Sequence, residues 1–232
     1  MDIKKLFHNK NFLKFSDLSL NLIIIIGMVL IIQKWVIAPF AVFGSSMCNT
    51  LNYIDSKCEE NFGEKIMLNE AIYLFNNPER GDIVVFHVDP TLNHNIDTEK
   101  KYYIKRVIGL PGETIEIKDG YVYVSKKDSQ NSIKLEEKYL NDFNLGNTNP
   151  HIKSLSVFHV PENQYFVLGD NRNFSTDSRS CFQRSTSDEC KNNASLAFVP
   201  VENIRGKAMF VWWPLKNTRL VQKPEYKELE EN

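Results

Sequence analysis

Between Leu18 and Gln33 the chain carries no charged residue, and the stretch Leu22 to Ile32 (LIIIIGMVLII) is apolar on every face that a helix would present. A helix of that kind has no side to turn toward water, so protein or lipid must enclose it. Ser19 and Asn21 are its early polar interruptions. Continued to Phe40, the run is 23 residues long with one charge, Lys34. As a helix this is about 34 Å, enough to cross a bilayer with some tilt, and Lys34 can snorkel to the interface beside Trp35. Lys4, Lys5, Lys10 and Lys14 precede the run, whereas no Lys or Arg lies between Lys34 and Ser56. By the positive-inside rule this places the N-terminus in the cytoplasm and everything after Pro39 outside. We therefore expect a cytoplasmic segment over 1–17 and a transmembrane helix over 18–40. A buried core helix fits the length poorly, and a cleaved signal peptide has a shorter apolar core.

The region beyond the anchor suits one folded domain, over 41–215: the chain has 232 residues, 42% of them hydrophobic, and a formal charge of −1. Lysines and acids are scattered, and no basic stripe with interleaved aromatics points to nucleic acid. The tail over 216–232 is acidic, and from Glu225 onward it is expected to stay solvated and disordered. Cys48, Cys58, Cys181 and Cys190 all lie beyond the anchor. Four cysteines allow three pairings; proximity favours Cys48 with Cys58 and Cys181 with Cys190, short loops suited to an oxidising compartment. Four free thiols stay open. A zinc site lacks the short C-x-x-C spacing, so no metal is expected.

The domain reads as mainly β. Apolar runs over Ile83 to Val88, Tyr102 to Ile108, Tyr165 to Leu168 and Met209 to Trp213 are candidate strands. Ile115 and Ile117 alternate before Asp119-Gly120, and Val122 and Val124 alternate after it, a hairpin signal. The polar stretch over 126–156 reads as an insertion on the β core, and 180–197 as a second inserted loop carrying one cysteine pair. Trp212-Trp213-Pro214 fits a membrane-touching edge or a buried strand end equally well.

Two elements carry chemistry. Ser46-Met47 comes just after the anchor, and Lys105-Arg106 sits in an apolar strand whose alternation puts Tyr103, Lys105 and Val107 on one face and Ile104, Arg106 and Ile108 on the other. A lysine acts as a base near neutrality only when desolvation lowers its pKa by several units, and these neighbours suit that. On its own the segment also fits a surface lysine on an edge strand.

Four blocks in a fixed order decide between these: GSSMCNTL over 44–51, RGDIVVF over 80–86, YIKRVIGLPGE over 103–113 and GDNRNFSTDSR over 169–179. In this the chain closely resembles the type I signal peptidases, from about Gln33 to Pro214. The resemblance implies a membrane-anchored β-rich catalytic domain with one N-terminal transmembrane helix, a serine endopeptidase that removes signal peptides from exported preproteins. It places the nucleophile on Ser46, the general-base lysine on Lys105 and the lysine-orienting serine on Ser175. Asp170, Asn171, Arg172, Asp177 and Arg179 fall on supporting positions, and the wall of a shallow substrate pocket would include Leu51, Tyr103 and Ile104. No cofactor is implied. The partners are preprotein signal peptides, the lipid bilayer and the secretion machinery.

The chain departs from the family pattern at two places. Asn49 stands where proline is usual, leaving the backbone after Ser46 less constrained; a Cys48 disulfide could brace that loop. Gly44 stands where some members carry a serine whose hydroxyl helps to bind the oxyanion, so the Ser46 N–H carries that task. Ser45 is a rival nucleophile by chemistry alone. A Ser-His-Asp site using His87 or His159 lacks a G-x-S-x-G elbow, and no lysine has a serine three residues before it, which excludes a Ser-x-x-Lys site. A non-enzymatic, membrane-tethered β domain that binds exported proteins is the remaining alternative.

Overall fold

The computed structural model describes residues 10–48, 50–88, 101–127, 129, 131–152, 154–183 and 188–229, and within the N-terminal helix the side chains of 14 and 17–29. That helix, α1 (Lys10–Trp35), opens the described chain. Its apolar side chains Leu18, Leu20, Leu22 to Ile26, Met28 and Val29 are all exposed. Among the described residues no helix is long and apolar enough to cross a membrane. The expectations for Lys34 and Trp35 side chains lie outside the described residues. The run expected to continue as helix to Phe40 leaves it at Trp35, because Ile37 to Phe43 form strand β1 (Ile37–Phe43) with register partners from Asn69 to Phe62.

After β1 come the short hairpin β2 (Tyr53–Ile54) and β3 (Lys57–Cys58), then β4 (Phe62–Asn69), β5 (Ile83–His87) and β6 (Tyr102–Gly109). Next are β7 (Thr114–Lys118), β8 (Tyr121–Ser125), β9 (Ile133–Lys134), β10 (Val157–His159) and β11 (Gln164–Leu168). A short helix α2 (Asp188–Asn192), β12 (Val199–Pro200), β13 (Ile204–Trp213) and β14 (Arg219–Leu220) complete the order. The main sheet runs β1-β4-β13-β5-β6-β11-β12, with β14 on β13, and a second sheet runs β10-β7-β8-β9. Every pairing among them is antiparallel.

The expected runs are strands here, and the Asp-Gly hairpin is present: Lys118 pairs with Tyr121 across Asp119 (φ 52°) and Gly120 (φ 81°). Two successive positive φ angles are those of a tight hairpin turn. Gly120 is also required by packing, because a Cβ there would lie 2.0 Å from the Gly146 carbonyl oxygen.

Three apolar clusters hold the domain together. One, around Ile108, Ile115, Val122, Phe158 and Phe166, fills the space between the two sheets. A second joins Val42, Met47, Leu51, Ile66, Ile83 and Ile104, and so ties the loop after β1 to the sheet. A third packs Val84, Phe86, Val107 and Val167 with Phe182. Burying a side chain of this size stabilises the fold by about 1.5–3 kcal/mol.

In the polar stretch over 126–156, Leu135, Glu137, Leu140, Asn144, Thr148 and Ile152 are buried, and Glu137 and Thr148 bond the buried Arg172. The expectation of a solvated tail from Glu225 onward is corrected in part, since Tyr226 is buried in the inter-sheet cluster and Leu229 packs against it. The acids of the tail mask the apolar residues that dock it. Residues 230–232 lie outside the described residues.

Candidate active site

Strand β1 delivers the chain to a tight loop in which Gly44 has a φ of 80°. Asn52 holds this loop from inside: its Nδ2 donates to the carbonyls of Val42, Gly44 and Asn61 at 3.2, 3.0 and 3.3 Å. Its Oδ1 accepts from Glu64 N at 2.8 Å, and its own N–H donates to Glu64 Oε2 at 2.8 Å. The fully buried Glu64 is neutralised by Arg219, at 2.6 and 2.8 Å, which also donates to Thr50 O at 2.6 Å. Sequence reasoning does not single out Asn52, Glu64 or Arg219; the positive φ of Asn52 is invisible there, and Glu64 and Arg219 are 155 positions apart.

On this loop the Ser46 Oγ lies 2.7 Å from Lys105 Nζ. The lysine is 3% exposed and donates to Ile104 O at 2.8 Å. Burial pushes its ammonium down to about 8; the Asp177 and Asp170 carboxylates oppose that shift, and the Arg179 guanidinium adds to it. Ser45, the rival by chemistry, instead uses its carbonyl, which accepts from Cys48 N at 2.9 Å and Asn171 Nδ2 at 3.0 Å. His159 contacts Thr114 at 2.9 Å in the second sheet.

Three buried guanidinium–carboxylate pairs frame the dyad. Arg106, next to the lysine but bonded elsewhere, grips Asp170 at 2.9 and 2.6 Å, and Asp170 accepts from Thr50 Oγ1 at 2.5 Å. Arg179 grips Asp177 at 2.9 and 2.8 Å, and Asp177 accepts from Gly169 N at 3.1 Å. Burial raises the Asp177 pKa, but the Arg179 guanidinium outweighs it and holds the carboxyl well below its usual value. Arg172 grips Glu137 at 2.8 and 2.5 Å and donates to Thr148 Oγ1 at 2.7 Å. Glu137 and Thr148, in the polar stretch, carry no sequence signal that marks them. The second and third blocks also meet, with Arg80 bonded to Glu113 at 2.5 Å and to the Ile108 carbonyl.

The Oγ of Ser175 is buried, makes no hydrogen bond to Lys105, and lies beside Asp177, whose carboxylate it helps to keep charged. It crowds Gly169, where a Cβ would lie 2.1 Å from Ser175 Oγ and 2.4 Å from Ser46 O. Of the expected pocket residues, Leu51 and Ile104 are core, with Leu51 fully enclosed, and Tyr103 is half-buried and stacked on Phe86 at 6.0 Å. A cleft of about 360 Å³ beside Ser175 is lined by His151, Phe174 and Gln183 but by neither Ser46 nor Lys105. Cys48 is joined to Cys58 and Cys181 to Cys190. Asn49 lies outside the described residues, and among those described no cluster of ligands could hold a metal.

The sequence profile of a family described as "Signal peptidase, peptidase S26" matches residues 15–213. The chain is 32% identical over 206 residues to a signal peptidase I of Bacillus amyloliquefaciens, covering 85% of each chain. It is 32% identical over 228 residues to a signal peptidase I of Rickettsia typhi, covering 84% of this chain and 78% of the other. A crystal structure of a signal peptidase I from Enterococcus faecalis is 29% identical and covers 57% of this chain and 97% of that one, with a TM-score of 0.37. The match over nearly the whole β domain shows that this chain belongs to the signal peptidase family, peptidase S26.

Proposed function

We infer that this chain is a membrane-anchored serine endopeptidase that removes signal peptides from exported preproteins, with Ser46 as nucleophile and Lys105 as general base. The observation that carries this reading is the 2.7 Å contact of Ser46 Oγ with a buried lysine whose pKa is lowered to about 8. A lysine so placed is partly neutral near pH 7–8, whereas in water its pKa is about 10.4. Neutral Lys105 Nζ takes the Ser46 proton as Oγ attacks the scissile carbonyl carbon. The Ser46 N–H meets the oxyanion, and the lysine ammonium returns the proton to the leaving amine. Water, deprotonated by the same amine, then hydrolyses the Ser46 ester. A binding domain alone would have no use for a buried lysine bonded to a serine.

The substrate is the extended end of a signal peptide. Tyr102 to Lys105 pair with β5 on one side, and their other side is unpaired among the described residues, which leaves a strand edge beside the nucleophile for backbone pairing. Ser175 belongs to this reading as the residue that steadies the lysine, its buried hydroxyl meeting the same Gly169 that abuts the Ser46 carbonyl. The exposed apolar surface of α1 favours lipid as its surroundings, with the N-terminus cytoplasmic and the catalytic domain outside. Exposed Trp213, Leu215 and Leu220 suit a bilayer-facing edge, and the two disulfides suit an oxidising compartment. Anchoring enzyme and substrate in one membrane raises their effective concentration, and contact with the secretion machinery fits that placement.

The test is cleavage of a purified preprotein in detergent by the wild type, Ser46→Ala and Lys105→Ala, with the cut site read by mass spectrometry. The expected result is a cut after a small residue in the wild type and none in either variant. Persistent cleavage in either variant overturns the assignment.

A further inference from the structure

Asn171 grips the peptide groups on both sides of Ser46. Its backbone N–H donates to Ser46 O at 3.0 Å, and its side-chain Nδ2 donates to Ser45 O at 3.0 Å. In a trans peptide the carbonyl and the following N–H lie in one plane and point in opposite directions. Fixing the Ser45 carbonyl therefore fixes the direction of the Ser46 N–H. That N–H donates to no acceptor among the described residues, and position 44 is glycine, with no side chain to share its task.

We propose that Asn171 is a positioning residue for the oxyanion site, its side-chain amide aiming the Ser46 N–H at the charge that develops on the scissile carbonyl; this rests on the Ser46–Lys105 reading. The residue is 5% exposed, and its buried Oδ1 has no partner among the described residues. An unpaired buried acceptor is destabilising, so the amide is held there for its donor. A brace that only closed the loop would need the backbone N–H alone, which any residue but proline supplies. Oxyanion stabilisation depends on donors being oriented before the charge appears. Without the Nδ2 donor only the Cys48 N–H holds the Ser45 carbonyl, so the Ser45–Ser46 peptide is less firmly aimed, while the strand edge that binds the peptide stays intact.

The experiment compares full-length wild type with Asn171→Leu, close in shape without a donor, and Asn171→Ala. Preprotein cleavage gives kcat and KM separately across pH. Two probes give affinities: a peptide boronate, whose boron accepts Ser46 Oγ and becomes a tetrahedral anion, and the matching product peptide, which binds without reacting. In both variants kcat is expected to fall about 10- to 100-fold, with KM changed less than about twofold and the pH midpoint unmoved. Boronate affinity should fall in step with kcat while product-peptide affinity holds. If a variant folds incompletely, the ratio of the two affinities still isolates the effect, because both probes report on the folded fraction.

Unchanged kcat and boronate affinity overturn the proposal, as does a rise in KM at constant kcat or a loss explained by a moved pH midpoint. Cleavage surviving in Ser46→Ala or Lys105→Ala instead overturns the dyad reading beneath it. Loss in those two with full kcat in the Asn171 variants removes only this inference.

Discussion

Lys105 Nζ and Ser46 Oγ are 2.7 Å apart although 59 positions separate the two residues in the chain. Met47 and Leu51, just after the serine, and Ile104, just before the lysine, share one apolar cluster. Core packing thus sets the distance that proton transfer needs.

Activity should track the lysine's titration. Below about 8 the ammonium is protonated and cannot accept the Ser46 proton, so kcat/KM should rise with pH through a midpoint near 8 and level off above it. Initial rates with a short fluorogenic signal-peptide substrate between pH 6 and 10 check this. A midpoint near 6 would point to a histidine instead.

The same burial makes Lys105 a stability liability. Its folded pKa lies below its unfolded value, so the unfolded chain binds more protons between about 8 and 10.5, and wild-type stability should rise with pH across that window. Lys105→Met should therefore be more stable than wild type at pH 7 by roughly 1–3 kcal/mol, the lost hydrogen bonds taking back part of the gain. The difference should shrink toward pH 10. Urea unfolding at both pH values measures it.

Gly169 has no room for a side chain. A Cβ there would lie 2.4 Å from Ser46 O and 2.1 Å from Ser175 Oγ, and the first of these is backbone that cannot rotate away. Gly169→Ala should displace the nucleophile loop and lower kcat about tenfold or more, a misplacement effect on catalysis. A variant with wild-type kcat would show that the loop yields freely.

Glu137 is 4% exposed and its partner Arg172 is fully enclosed. Glu137→Ala leaves that guanidinium uncompensated and should cost roughly 3–5 kcal/mol, whereas Lys138→Ala, removing an exposed ion pair with Glu136, should leave stability nearly unchanged. Denaturant midpoints of the two variants, compared side by side, decide the point.

The Cys48–Cys58 bond closes a short loop beginning two residues after the nucleophile, at a sequence separation of 10. Replacing both cysteines by serine should lower stability by about 2–3 kcal/mol through a less restricted unfolded chain and should slow cleavage as the loop loosens. If melting temperature and turnover both match the wild type, the bond does not brace the site.

The central strands and one hairpin are legible in the chain through the apolar runs of Ile83 to Val88 and Tyr102 to Ile108 and the Asp119-Gly120 turn, because apolar run length and turn chemistry are local properties. Strands β1 and β4 are not: the first continues an apolar run that reads as anchor, and the second contains Glu64 and Lys65, which break the alternation. The docking of the tail through Tyr226 is hidden by its acids.

By itself the sequence determined the order of the four blocks, the candidate serine and lysine within them and the uncharged run before them, since each depends on residue type and spacing along the chain. Only the tertiary structure decided that Lys105 bonds Ser46 rather than Ser45, that Glu137 neutralises Arg172 and that Asn171 holds both carbonyls beside the nucleophile. These are contacts between residues 35 to 126 positions apart in the chain, created when burial of apolar side chains closes the sheet and leaves each buried charge or carbonyl in need of a partner.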